Sequence, residues 1–428
     1  LTGPSTSLWR HGDFLKLWAA QTVSSFGARI AREGLPFTAL MFLRAGPAAY
    51  GVFAAARLAA SAVGGVVAGP LADRFPKRAL MIGADLARAA VLIAVPAAAF
   101  TGHLTFAGVI VAGVLMGFFS VAFDIADHAF LPTLIAPAQL VDGNAKLGTT
   151  EAVAETGGPA LYGVLFQTIG APLALVVNAG TYMVSALTLA FIRPRAQAVG
   201  EPAQQPVAPI DLAAGFRIVL DHPLVRPIWL ADVTQAFFGG FFSALYLLFL
   251  YRQLHLTPLM IGMTVAAGGI GGFVGAVIAP AVTRRLGVGW AIVATAVSGG
   301  AMQFFVPLAH GAPLLAMGFL VIAQLFGDGL QTIAGIATVS FRQAVLPAHE
   351  LGRAGGAFAT GTALMGVVGA LGGGLLGASL GPRETLYMAA AGITLATVFV
   401  LVSPLRKVRS AEEAAPSASL DSAPSSLL

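Results

Sequence analysis

The chain has 428 residues, 57% of them hydrophobic and only 10% charged, with a net charge of +5 and no cysteine. A soluble domain carries about 25% charged residues, so the composition excludes a soluble enzyme, a disordered chain and a nucleic-acid-binding domain. The lack of cysteine excludes disulfides, thiolate metal sites and a cysteine nucleophile.

Loops rich in Gly, Pro or charge separate twelve apolar segments, predicted at 14–43, 49–72, 79–100, 105–128, 147–170, 172–192, 224–250, 258–282, 288–309, 313–340, 353–379 and 382–402. Twelve spans of about 20 residues each absorb nearly all the apolar residues. The expected fold is all-α: twelve transmembrane helices in two pseudo-symmetric six-helix bundles, 1–192 and 224–403. A cytoplasmic linker at 193–223 joins them and a disordered cytoplasmic tail at 404–428 follows. The opening residues lack the short apolar core and cleavage site of a removable signal, so span one is expected to direct insertion. With both termini on one side, 17 Lys and Arg fall in the loops of that side, three in the opposite loops and four within spans. The positive-inside rule makes the basic side cytoplasmic.

Charges inside spans cost at least about 2.5–3.5 kcal/mol on insertion scales and want a partner or a cavity. Glu33 in span one and Arg57 in span two lie at similar depth, about 15 and 12 Å from the outer end at 1.5 Å per residue. Arg29 shares a helix face with Glu33. Arg29, Arg32 and Arg57 are therefore expected around one carboxylate, Glu33. That cluster reads as an anionic-substrate site or proton relay, or as a buried ion pair locking spans one and two.

Between spans two and three runs Gly69-Pro70-Leu71-Ala72-Asp73-Arg74-Phe75-Pro76-Lys77-Arg78. An acid among basic residues is not needed for topology, and the segment reads as a cytoplasmic gate. Gly69 lets helices approach, and Asp73 can face a helix N-terminus. Arg74 and Arg78, beside Lys77, are expected to pair with Asp124 or Asp127 at the inner end of span four. Asp85 and Arg88 are expected to brace this loop. The alternative is a basic loop with no switching role. Glu151 and Glu155 are expected at the start of span five, where acid suits a helix N-terminus. Further along that span, Gly158, Pro159 and Gly163 would bend the helix and let span eight press against it; ordinary small-residue packing is the alternative.

The linker is Pro- and Gln-rich, then amphipathic from Asp211 to Leu220, which predicts a short helix on the membrane surface. Span seven carries Asp232, Gln235 and the aromatic run Phe237, Phe238, Phe241, Phe242 and Tyr246, a wall for flat or greasy substrates or a face for lipid or core. Asp328 stands near the middle of span ten, with Gln324 and Gln331 nearby and no basic residue in that span. It is the leading candidate to pick up and release a proton, with Glu33 as the second. The alternative is a protonated acid hydrogen-bonded to a neighbouring helix.

A shift of 211 residues places Gly158 on Gly369, Gly163 on Gly374, Gly170 on Gly381 and Asp73-Arg74 on Arg284-Arg285. The same shift places Gln21 on Asp232, both expected to line the cavity. Two parallel halves around a central cavity form an alternating-access machine. No metal cluster, nucleophile triad or phosphate-binding loop stands in the sequence, so no cofactor and no direct use of ATP is expected.

The gate segment resembles the signature of the major facilitator superfamily, G-x-x-x-D-R/K-x-G-R-R/K. Gly69, Asp73, Arg74 and Arg78 match; Lys77 replaces an Arg and Pro76 replaces the Gly. By that resemblance Asp73 faces the start of span eleven near Arg353. The span-five residues resemble the superfamily's antiporter motif, with Ala154 and Tyr162 departing from it. FLKLWAAQTVSSFGARIAREGLP, FLPTLIAPAQLVDGNA and HPLVRPIW resemble the branch of siderophore and macrolide exporters. That branch often has an acid after the span-one glycine; here Ala28 follows Gly27. The resemblance implies a monomeric, non-enzymatic secondary transporter in the lipid bilayer of a bacterial inner membrane. It would export a small-molecule substrate, an amphipathic drug, secondary metabolite or siderophore, driven by the proton gradient. Proton-coupled uptake, or lipid or anion transport, on the same fold remains open. So does a non-transporting membrane sensor or assembly factor.

Overall fold

In a bilayer the backbone amides of an apolar run have no partner but each other, and a helix satisfies them all. The computed structural model describes residues 8–43, 45–192 and 212–409, without the side chains of 66, 68–73 and 212. The described residues of the first half form α1 (Gly12–Leu43), α2 (Pro47–Arg74), α3 (Lys77–Phe100), α4 (Phe106–Leu134), α5 (Leu140–Ile169) and α6 (Ala171–Ala190). After α7 (Leu212–Asp221) come α8 (Val225–Leu248), α9 (Pro258–Leu286), α10 (Val288–Met302), α11 (Phe305–Leu308), α12 (Pro313–Val345), α13 (Ala348–Ser379), α14 (Pro382–Ala396) and α15 (Val398–Leu401). Among the described residues, ten helical segments are long and apolar enough to cross a membrane. α1 and α5, of 32 and 30 residues, run beside them but are interrupted by charged and polar side chains.

The repeat governs the packing. The starts of α2 and α9 (47 and 258), α3 and α10 (77 and 288) and α6 and α14 (171 and 382) are each 211 residues apart. α1 packs on α5 and α6, α2 on α4, and α3 on α4 and α6. Their counterparts make the same pairs: α8 on α13 and α14, α9 on α12, and α10 on α12 and α14. Between the halves α2 lies on α13 and α5 on α9, contacts that a twofold axis would exchange. Gly170 and Gly381, at equivalent positions, turn the chain with φ of 79° and 99°. Gly287, φ 78°, makes the one-residue turn from α9 to α10. Its counterpart Pro76 has φ −56° and cannot reach that region, so the turn from α2 to α3 takes two residues.

Among the described residues, the largest apolar contact between the two halves lies toward one end. The largest apolar core joins Phe37, Tyr50, Tyr162 and Phe166 of the first half to Leu245, Phe249, Leu250 and Ile261 of the second. These residues lie toward the side opposite the basic loops. On the basic side each half has its own core, around Phe14, Met81 and Phe130 in one and Ile228, Phe341 and Phe358 in the other. α2 shows the divergence. Gly51 touches Ala370 and Gly374 of α13, and Leu58 reaches Gly366, whereas Gly64 lies against Phe118 and Val121 of α4.

One expectation shifts. α7 forms where the amphipathic stretch was predicted, but its apolar residues Phe216 and Val219 join the core of the second half, and Gly215 abuts Arg353 of α13. The face expected on lipid is therefore on protein. The linker from 193 to 211 and the tail from 410 lie outside the described residues.

Candidate functional site

α1 and α5 carry the charges that interrupt their apolar runs, and they carry them toward each other. Arg29 Nη1 lies 2.6 Å from Glu155 Oε2, and its Nη2 lies 3.3 Å from Glu151 Oε1. Arg32 Nη2 donates to Glu155 Oε1 at 2.9 Å and its Nε to Glu33 Oε1 at 3.2 Å. The spacing is helical: Arg29 and Arg32 share one face of α1, Glu151 and Glu155 one face of α5. Gly158, one turn on, gives Arg29 its seat, since a Cβ there would lie 2.5 Å from Arg29 Cβ.

This corrects the expected single-carboxylate cluster. Arg29 goes to Glu151 and Glu155, Arg32 bridges Glu155 and Glu33, and Arg57 makes no ion pair among the described residues. The reason is the start of α5 at Leu140, seven residues earlier than predicted. Glu151 and Glu155 then sit mid-helix, level with Arg29, and not at a helix N-terminus. The overlooked signal was two acids four residues apart inside an apolar helix.

The gate residues also pair differently. Arg78 Nε donates to Leu189 O at 2.8 Å and its Nη2 to Ala190 O, which caps the C-terminus of α6. Asp127 accepts from Gln21 Nε2. Asp124 lines a hollow of about 280 Å³ inside the first half, together with Arg29, Arg57 and Arg88. At 1.5 Å per residue, Asp124 and Asp127 lie about 15 and 10 Å up α4 from its end, too deep for Arg78 at the start of α3. Arg74 is exposed and Lys77 half-buried; the side chains of Gly69 and Asp73 are outside the description. Asp85 and Arg88 do not brace that loop. They pair within the bundle, with Arg88 Nη2 also 3.2 Å from Ser24 Oγ. The Arg88 guanidinium lies between the rings of Phe123 and Tyr182, at 4.5 and 4.3 Å.

A cavity of about 400 Å³ lies between the halves. The first half lines it with Arg32, Glu33, Tyr50 and Arg57, the second with Phe242, Ser243, Tyr246, Gln303, Gln324 and Asp328. Glu33 and Asp328, singled out separately in the sequence, thus face one space. Gln303 is an unforeseen member; a lone amide inside an apolar span was its only signal. Asp328 abuts Gly268 of α9, where any side chain would displace it. Of the aromatic run, Phe242 and Tyr246 reach the cavity. Phe237 and Phe241 pack on Gly369 and Gly373 of α13, and Phe238 on Gly392 of α14.

Gln21, Asp232 and Gln235 do not line this cavity. Asp232 and Gln235 line a hollow of about 200 Å³ in the second half with Gln331, Thr338 and Arg342, where Gln331 Nε2 donates to Gln235 Oε1 at 2.8 Å. The span-five residues meet α9 directly: Gly163 lies against Pro258 and Leu259, and Gly262 against Pro159 and Gly163.

Residues 17–370 match the family model described as Major Facilitator Superfamily. The chain belongs to the major facilitator superfamily. It is a multi-pass membrane transporter. Among similar proteins are the uncharacterized MFS-type transporters YfiS and YvqJ of Bacillus subtilis (strain 168), each 23% identical. YfiS aligns over 86% of this chain and 87% of its own length. The YvqJ match covers 52% of this chain and 54% of that protein, so the chain spans about half the length of that relative. The multidrug efflux pump Tap of Mycolicibacterium fortuitum is 26% identical over 80% of this chain and 84% of its own. Among solved structures, the nucleoside transporter NupG superposes with a TM-score of 0.74 at 11% identity, over 91% of this chain and 98% of that one. A bacterial homologue of the iron transporter ferroportin scores 0.71 in its inward-facing state, at 18% identity over 92% and 99% of the two chains. In its outward-facing state it scores 0.56, at 17% identity over 91% and 98%.

Proposed function

We propose that the transporter exports a small amphipathic compound from the cytoplasm in exchange for protons, with Asp328 and Glu33 carrying the proton. The observation behind this reading is that one acid from each half faces a single cavity, sealed at the far end by apolar packing, while on the basic side the described residues form a separate core in each half. An acid that binds proton and substrate alternately, in a cavity that opens to one side at a time, couples their opposite movements. The name of Tap, a multidrug efflux pump, favours export. The basic loops of this chain favour both termini cytoplasmic in a bacterial inner membrane, and the protein would act as a monomer whose two bundles rock about the cavity. In that cycle Gly69, Asp73, Arg74, Lys77 and Arg78 act as the cytoplasmic gate; Gly158 seats Arg29, and the seam at Pro159 and Gly163 keeps α5 and α9 from leaking.

Growth of cells with and without the gene, across a panel of antibiotics and siderophores, identifies a substrate. Everted vesicles with an imposed proton gradient then test the coupling. Asp328→Asn should abolish gradient-driven accumulation, and unchanged accumulation removes Asp328 from the mechanism.

A second reading, uptake or transport of an anionic compound, is favoured by Arg57. Its guanidinium faces the cavity and makes no ion pair among the described residues. Accumulation in right-side-out vesicles, dependent on Arg57, would select this reading over export.

A further inference from the structure

The turn from α9 to α10 corresponds in the repeat to the gate turn from α2 to α3, but its acid is gone: Arg284-Arg285 stand where Asp73-Arg74 stand in the first half. The tertiary structure brings a second basic segment to the same place. Beyond α15 the chain passes through a 3-10 turn at Pro404–Lys407 and runs alongside the start of α10. Val288 N donates to Arg409 O and Gly289 N to Val408 O, each at 3.1 Å. Two glycines permit this approach. Gly287 turns with φ 78°, and a Cβ on Gly289 would collide with Leu405 O.

The result is a groove of about 740 Å³ whose lining includes Arg284, Arg285, Arg406 and Lys407, with no acidic residue among the described residues that line it. Trp290, 49% exposed, forms part of its wall, and Leu286, equally exposed, adjoins it. Topology explains basic residues in a loop on this side, but it does not require two distant basic segments to be pinned together by backbone hydrogen bonds. Cations gathered this way repel one another, and a bound anion relieves that repulsion. Trp is favoured at headgroup depth, and Arg is suited to phosphate through its planar, forked donors.

We propose that this groove binds the headgroup of an anionic phospholipid. Its phosphate oxygens accept from Arg284, Arg285, Arg406 and Lys407, and its glycerol and upper acyl chain lie on Trp290 and Leu286. The site is separate from the transport cavity, so it stands whatever the substrate is.

Native mass spectrometry of the full chain in detergent, titrated with phosphatidylglycerol and with phosphatidylcholine of the same acyl length, tests this. The wild type should bind phosphatidylglycerol in preference. Arg284→Gln/Arg285→Gln/Lys407→Gln should weaken that binding at least ~10-fold. Arg10→Gln/Arg217→Gln/Arg226→Gln, which removes three cations elsewhere, should keep it. If the first variant loses its native size-exclusion profile, Arg406→Gln/Lys407→Gln serves in its place and should also lose the preference. Equal loss in both sets of variants would mean general charge attraction and overturn the proposal. Binding of inorganic phosphate without preference for phosphatidylglycerol would make this a free-anion site and also overturn it. Glu412 and Glu413 follow Arg409 in sequence. Lipid binding that arises only in Glu412→Gln/Glu413→Gln would make the tail itself the occupant, which overturns it as well.

Discussion

Arg88 and Asp85, 1% and 0% exposed, show what a charge requires among apolar helices. The pair is held by its own ionic contact, by Ser24, and by the two aromatic faces on either side of the guanidinium, while Asp85 Oδ2 and Arg88 Nε have no hydrogen-bond partner among the described residues. Removing one member leaves the other charged and buried, at a cost of about 3–5 kcal/mol, whereas removing both is often tolerated. Arg88→Met should therefore lower the unfolding temperature in detergent markedly, and Asp85→Asn/Arg88→Met should recover much of the loss. A single variant that melts like the wild type would show that the pair is dispensable. The partly exposed pairs of Arg29 and Arg32 with Glu155 tie α1 to α5, and through Arg32 they reach the cavity wall. Glu155→Gln should impair transport more than stability, read as a fall in vesicle accumulation at a nearly unchanged melting temperature. Interior charges were conspicuous in the sequence, because ionisable residues stand out in apolar runs. Their partners were not, because Arg29 has Glu33 four residues away on its own helix yet bonds to α5.

At the level of helices, close approach depends on the absence of side chains. At Gly163 and Gly262 α5 and α9 touch through backbone, so Gly262→Leu must push them apart. Helix ends depend on capping. His222, ahead of α8, accepts at Nδ1 from Leu224 N and Val225 N, each at 3.3 Å. Burial holds this imidazole below its usual range, partly offset by Glu350. The folded protein therefore favours the neutral ring, and its contribution to stability is complete above the unfolded value of about 6.5 and fades as pH falls below it. Wild-type melting temperature should decline more between pH 7 and 5.5 than that of His222→Asn; parallel curves would assign the decline to other groups. Most helix limits were legible from apolar runs bounded by Gly and Pro. The first turns of α5 were not, because a polar stretch carrying Asp142 and Lys146 reads as loop. In the structure it is helical, and there Lys146 pairs with Asp142 one turn back and lies 5.3 Å from the Trp9 ring.

For the whole molecule, the arrangement predicts which side reaches the cavity. The native chain has no cysteine, so an introduced one is unique. Ser243→Cys, on the cavity wall, should react with a membrane-impermeant maleimide from the basic side and be protected from the other. Adding Gly262→Leu should open the far-side seam and allow labelling from both sides. Labelling of Ser243→Cys from the far side alone would reverse the picture. By itself the sequence determined the all-helical membrane fold, the 211-residue repeat, the concentration of basic loops on one side and the residues able to carry charge within the spans. Each of these follows from composition and periodicity along a single segment. Only the tertiary structure decided which charges meet, which aromatic residues face the cavity and where the halves separate. Those depend on the depth and rotation of each helix against its neighbours, which are set by contacts such as Gly158 on Arg29 and Gly51 on Gly374 between residues far apart in the chain.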